Sequence, residues 1–158
     1  MVLYFTGTGN SRYIAERIAK ALDDELFSIN DRIKADSREA VDTGSRVVIV
    51  APTYAWRLPV IVSEWISETD FAGAEKIWFV MDCGSQIGNA AKYNRALSDR
   101  KNLQYMGTAQ IIMPENYIAM FPVPDSEEAA EIIANAEPNI NDVIARISAS
   151  QKFAKPRN

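Results

Sequence analysis

Residues 1–18 read MVLYFTGTGNSRYIAERI, and this stretch decides the fold. A short apolar run ends in a small, hydroxyl-rich turn, and apolar residues at helical spacing follow at once. Thr6, Gly7, Thr8, Gly9, Asn10 and Ser11 supply three hydroxyls, one side-chain amide and a series of backbone N–H groups where a strand passes into a helix. Such a turn can surround a phosphate, because the first N–H groups of a helix lack intrahelical partners and its dipole favours an anion there. The turn holds no lysine or arginine. Neutral donors would then meet the charge, with the helix terminus adding about 0.3–1 kcal/mol, or ~2 kcal/mol when partly buried. That arrangement suits a tightly held, non-reacting phosphomonoester. A plain helix cap would need only Gly9 or Asn10. The pattern GxxxxGK[ST] is absent, and Arg12 stands where a dinucleotide fingerprint starting at Gly7 requires its third glycine.

The rest of the chain sets the limits. Its 158 residues suffice for one domain, read here as 1–150 with a basic tail or truncated linker at 151–158. Twenty-one acidic against 17 basic side chains give a net charge of −4, which argues against nucleic acid as a partner. No apolar stretch approaches the ~20 residues needed to span a bilayer, and no signal-peptide pattern opens the chain. One cysteine and no histidine exclude a disulfide framework, a Cys/His zinc site and histidine-assisted nucleophiles. A reducing, cytoplasmic location is expected.

Apolar patterning predicts strands over 2–5, 25–29, 46–51, 76–81 and 105–113. The run RVVIVA at 46–51 is β-branched nearly throughout, as in a strand covered on both faces. Helices are predicted over 11–22, about 37–41, 59–67, 90–97, 126–136 and 138–149, with Pro59 and Pro138 at helix starts. Strands that alternate with helices imply an α/β fold, a five-stranded parallel sheet with helices on both faces.

In such sheets ligands bind beyond the carboxyl ends of the strands. Besides the 6–11 turn, two of these ends are unusual. After the third strand come Pro52, Thr53, Tyr54, Ala55 and Trp56, then Arg57, Leu58 and Pro59. After the fourth come Asp82, Cys83, Gly84, Ser85, Gln86, Ile87 and Gly88. One end supplies phosphate donors, one supplies aromatics, and one supplies small residues with free backbone. Together they describe a pocket for a flat, phosphate-bearing heterocycle.

The residues Val2, Leu3, Tyr4, Thr6, Gly9, Ser11, Ala15 and Ile18, with Phe5 at a free place, resemble the flavodoxin fingerprint; Ser11 stands where threonine is usual. The strand–helix order is similar over roughly 1–150. The segments PTYAWRLP and MPENYIAMFP look like the flavodoxin half of the flavodoxin–ferredoxin fusion proteins of anaerobes, whose iron–sulfur domain this one-cysteine chain lacks. The resemblance implies a three-layer sandwich with strand order 2-1-3-4-5 and an FMN cofactor. Its phosphate would lie at Thr6–Ser11, with its ring between residues 52–56 and residues 82–85 and 88. It implies an electron carrier between redox partners such as iron–sulfur proteins. The rival is an FMN-dependent NAD(P)H:quinone-type oxidoreductase on the same fold. Monomer and weak dimer both remain open.

Within that frame Trp56 is expected to stack on the ring, with Tyr54 next, while Trp65 and Trp78 belong to the core. Arg57, if near the ring, would stabilise its reduced anion. Cys83 is not a phosphatase nucleophile, since Asn89 occupies the arginine position of Cys-x5-Arg. Residues 52–59 contain no glycine, so a backbone at positive φ is expected to be costly there. Tyr117, Met120 and Phe121 could cover the ring or dock a partner. The six acids at 125–142 and the four bases at 146–157 read as solvated faces, with an acidic docking surface as the alternative.

Overall fold

A computed structural model describes residues 1–116 and 122–155 of the chain. The strands are Val2–Tyr4 (β1), Leu26–Ser28 (β2), Val41–Asp42 (β3), Arg46–Pro52 (β4), Phe71–Ala72 (β5), Lys76–Cys83 (β6) and Gln104–Ile112 (β7). The helices are Asn10–Leu22 (α1), Ile29–Lys34 (α2), Val60–Glu68 (α3), Ala90–Arg100 (α4) and Ser126–Ser148 (α5). Five strands form one parallel sheet in the order β2-β1-β4-β6-β7. Counted along the chain within that sheet, the order is 2-1-3-4-5, as the resemblance implies.

Strand alternation builds two cores. Val48 and Val50 join Val2, Trp78 and Val80 under α1 and α5, where Ile14, Ile18, Ile140 and Ile147 are buried. Val47, Ile49 and Ala51 join Leu3, Ile77 and Phe79 on the other face, against Val62, Trp65, Ile66, Ala90 and Leu97 of α3 and α4. Trp65 and Trp78 are core residues, and their indole N–H groups donate to the carbonyls of Ser37 and Gln151, each at 2.9 Å. The β6–β7 register shifts between Ile77 and Phe79. At that shift Gly107 adopts φ 113, and Phe153 fills the space its side chain would take.

Some elements differ from those predicted. The helix expected near 37–41 forms earlier, as α2, because Ser28 ends β2 and its hydroxyl accepts from Asp31 N at 3.3 Å as an N-cap. Residues 41–42 instead pair with β5 in a small parallel ladder. The two helices read at 126–149 are one, with Pro138 inside α5. Its buried residues Ala136, Ile140, Val143 and Ile147 continue one apolar stripe, and their burial outweighs the hydrogen bond a proline forgoes. Pro59 is the N-cap of α3 rather than its first helical residue. Strand β6 runs on through Asp82 and Cys83, which pair with Ile111 and Ile112. Tyr117, Met120 and Phe121 lie outside the described residues. Among the described residues no helix is long and apolar enough to cross a membrane.

Candidate functional site

The connections that leave the carboxyl ends of β1, β4, β6 and β7 meet at one end of the sheet. The Tyr54 hydroxyl lies 2.9 Å from where a Cβ on Gly7 would stand, which joins the second loop to the first. Trp56 covers Gly88, joining the second loop to the third. Asn10 Nδ2 donates to the Pro114 carbonyl at 3.1 Å, and Asn116 donates to the Thr8 hydroxyl. The three predicted stretches are therefore neighbours, and the segment after β7 closes the ring of loops.

The 6–11 turn is shaped from within and from behind. Gly9 is the N-cap of α1 at φ 112, a conformation that only glycine adopts cheaply. Gly9 N donates to Thr6 Oγ1 at 2.9 Å. Asn30, at the start of α2, clamps Thr6: Thr6 N donates to Asn30 Oδ1, and Asn30 Nδ2 donates to Thr6 O, both at 2.9 Å. Ser11 is buried, and its hydroxyl donates to Asp82 Oδ1 across from β6.

Residue chemistry at this turn fits an anionic group. The start of α1 has no side-chain cap and no acid in its first turn. By contrast α5 begins with Asp125, which accepts from Glu127 N and Glu128 N at 3.0 and 2.9 Å. The first N–H groups of α1 are left for another acceptor. Beside the turn, Thr53 Oγ1 is buried without a hydrogen-bond partner among the described residues. A ligand oxygen would satisfy it.

The second loop turns on two left-handed residues, Ala55 at φ 49 and Trp56 at φ 58. Tyr54 N donates to Arg57 O at 2.9 Å and Arg57 N to Tyr54 O at 3.3 Å, closing a two-residue hairpin. Positive φ in a glycine-free loop is thus already present, held by these two bonds. The turn leaves Tyr54 and Trp56 at 50% and 59% exposure, unusual for such large aromatics. Arg57 is drawn away to α4, its guanidinium 5.3 Å from the centre of the Tyr93 ring.

Third-loop residues are fixed by Gln110 of β7. Its Oε1 accepts from Ile87 N at 3.1 Å, and its Nε2 donates to Ser85 O at 3.2 Å. Glu115 packs over Gly84 where a side chain would stand. Burial lifts the Asp82 carboxyl to about 6 against the pull of the Ser11 hydrogen bond. Burial, with the Asp82 charge second, lifts the Cys83 thiol to about 12, so Cys83 is a poor nucleophile. Tyr54 is raised by burial and then by Asp82.

Asn30, Gln110, Glu115 and Asn116 were not read as site residues from the sequence, since each acts from an element outside the three loops. Gln110 alone had a local signal, a long polar side chain in an otherwise mostly apolar strand end. A cavity of about 380 Å³ lies at the opposite end of the sheet, where Asp24, Arg46, Glu75 and Lys76 mix both signs of charge.

A doubly wound parallel sheet with an open helix start and exposed aromatics at its carboxyl end is the architecture of a flavodoxin-like protein. The chain matches the family model described as flavodoxin domain over residues 1–111, and it belongs to that family. No curated protein sequence matches it. Among solved structures it is similar to a putative flavoprotein from Bacteroides uniformis, with 23% identity over 71% of this chain and 88% of that one and a TM-score of 0.53. An FMN-dependent NADH-azoreductase from Bacillus anthracis gives 11% identity over 93% and 98%, with a TM-score of 0.57. A flavodoxin from Megasphaera elsdenii gives 17% over 89% and 97%, with a TM-score of 0.51. Likeness at these identities speaks to the fold.

Proposed function

We propose that the protein binds FMN across these loops and carries electrons between redox partners. The observation that carries this reading is the uncapped start of α1 beside two half-exposed aromatics, Tyr54 and Trp56. The backbone N–H groups of residues 7, 8 and 10–12 and the hydroxyls of Thr6 and Thr8 would hold the phosphate. Tyr54 and Trp56 would flank the ring, and the backbone of Gly84, Ser85 and Gly88 would meet its polar edge. FMN, when bound, supplies the electron-accepting chemistry; the protein sets how tightly each redox form is held.

Asp82 and Glu115 place acidic groups near the third loop, while Arg57 is drawn off to Tyr93. This balance disfavours added negative charge on the ligand and supports a strongly reducing carrier. Iron–sulfur proteins as partners and the cytoplasm as location belong to the same proposal. The reading is tested by purifying the protein, adding FMN and recording its visible spectrum. Bound yellow chromophore released as FMN supports it; colourless protein that refuses micromolar FMN overturns it. Steady-state oxidation of NAD(P)H by the loaded protein would replace the carrier with the FMN-dependent oxidoreductase.

A further inference from the structure

Beneath the phosphate turn lies a carboxylate that FMN binding has not yet used. Asp82, next to last in β6, is 5% exposed, and Ser11, the second residue of α1, donates its hydroxyl to Oδ1. Through Ser11 this acid is tied to the same helix start that would receive the phosphate. The groups that face it are Ser11 from α1, Tyr54 from the loop after β4 and Cys83 on its own strand, with Glu115 further out over Gly84. None of them is a cation. Arg12, at the start of α1, is engaged by Glu16 at 2.8 Å. The site therefore has one helix dipole and two anions to accommodate when a phosphate enters.

Two negative charges that share a poorly hydrated site cannot both ionise freely; one takes a proton. We infer that Asp82 sets the selectivity of this site for phosphorylated over unphosphorylated ligand, the phosphomonoester entering together with a proton that Asp82 takes from solvent. The proton rests on Oδ2, since Oδ1 accepts from Ser11, and it returns to solvent when the ligand leaves. No bond of the ligand breaks. The inference rests on the FMN reading and adds to it a regulation of affinity by pH. The carboxyl of the free protein titrates near 6, so just above that pH the bound state keeps a proton that the free state has lost. Binding of FMN is then weakened as pH rises, while riboflavin, which has no phosphate, is indifferent.

The test measures dissociation constants of FMN and riboflavin from pH 5 to 8.5 for the wild type and Asp82→Asn. Calorimetry in buffers of different ionisation enthalpy counts the protons. For the wild type, FMN affinity should fall about fivefold between pH 6 and 8, the effect of a one-unit upward shift of one carboxyl that is already half ionised at pH 6. Proton uptake should peak at about half a proton per FMN between pH 6 and 7 and vanish on the alkaline side. Asp82→Asn should bind FMN about tenfold more tightly than the wild type at pH 8. The second ionisation of the phosphate itself falls near pH ~6 and affects both proteins alike, so the difference between them reports Asp82. Ser11→Ala offers an independent arm: it removes the donor that favours the ionised acid, and the pH at which FMN affinity begins to fall should move upward. Identical FMN profiles for wild type and Asp82→Asn, or FMN binding without proton uptake, overturn the inference and leave FMN binding intact. If Asp82→Asn does not fold, the wild-type proton count and the Ser11→Ala shift decide. Failure to bind FMN at any pH overturns both.

Discussion

The indole of Trp56 lies across Gly88 so closely that a Cβ at position 88 would meet Trp56 Cδ1 at 2.5 Å. Gly88 also has φ 53, in the region that suits glycine. Gly88→Ala therefore forces both a strained backbone and a displaced indole. Its unfolding free energy should fall by about 1–3 kcal/mol. Tryptophan emission should shift to the red, since Trp65 and Trp78 are buried and Trp56 is the indole that moves. Wild-type emission and stability in the variant would mean that the two loops do not touch in solution.

The neighbouring turn stores strain of its own. Ala55 and Trp56 are the central residues of a two-residue hairpin, positions where asparagine and glycine are preferred because both need positive φ. Ala55→Asn keeps the turn and eases the first of these positions. It should stabilise the protein by about 0.5–1 kcal/mol, part of the ~1–2 kcal/mol that a left-handed residue costs. Urea denaturation measures this, and a loss of stability would show that position 55 leaves the left-handed region in solution.

Gln110 holds the third loop by two hydrogen bonds from an adjoining strand, to Ile87 N and Ser85 O. Each is worth about 0.5–1.5 kcal/mol net, and most of that goes into the shape of the loop. Gln110→Ala should speed hydrogen exchange at the Ile87 amide and weaken FMN and riboflavin equally, by about tenfold, because the loop would meet the ring and not the phosphate. Preferential loss of FMN binding would contradict this placement.

Much of the sheet was legible because each strand is a buried apolar run between turn residues, and the 6–11 turn was legible because its chemistry is contiguous. Helix boundaries were harder where a proline or a polar stretch carried the signal. Pro138 reads as a helix start in isolation, yet the stripe from Ala136 to Ile147 spans it. Ser37 and its neighbours read as a helix, yet Ser28 caps one earlier, and the Ser37 carbonyl serves Trp65 instead. In the site, the three loops could be named because their residues are sequence neighbours. Asn30, Gln110 and Asn116 reach the loops from elsewhere in the chain, and only tertiary packing brings them there. The pairing of Ser11 with Asp82 is of the same kind, since 71 residues separate them.

The burial of Asp82, opposed by that pairing, also makes stability depend on pH. Burial places the folded-state titration of Asp82 near 6, above the ordinary 3.8 expected of the unfolded chain. Between those values the native state binds the proton more tightly than the unfolded chain does, so stability falls as pH rises from about 4 to 6 and levels off above. The difference of about two units corresponds to roughly 3 kcal/mol of lost stability at neutral pH. Asp82→Asn keeps an oxygen for the Ser11 hydroxyl and removes the charge, so it should gain most of that energy at pH 7 and little at pH 4. Parallel urea titrations of the two proteins at both pH values check this. An equal difference at pH 4 and pH 7 would mean that the Asp82 carboxyl titrates as it would in water.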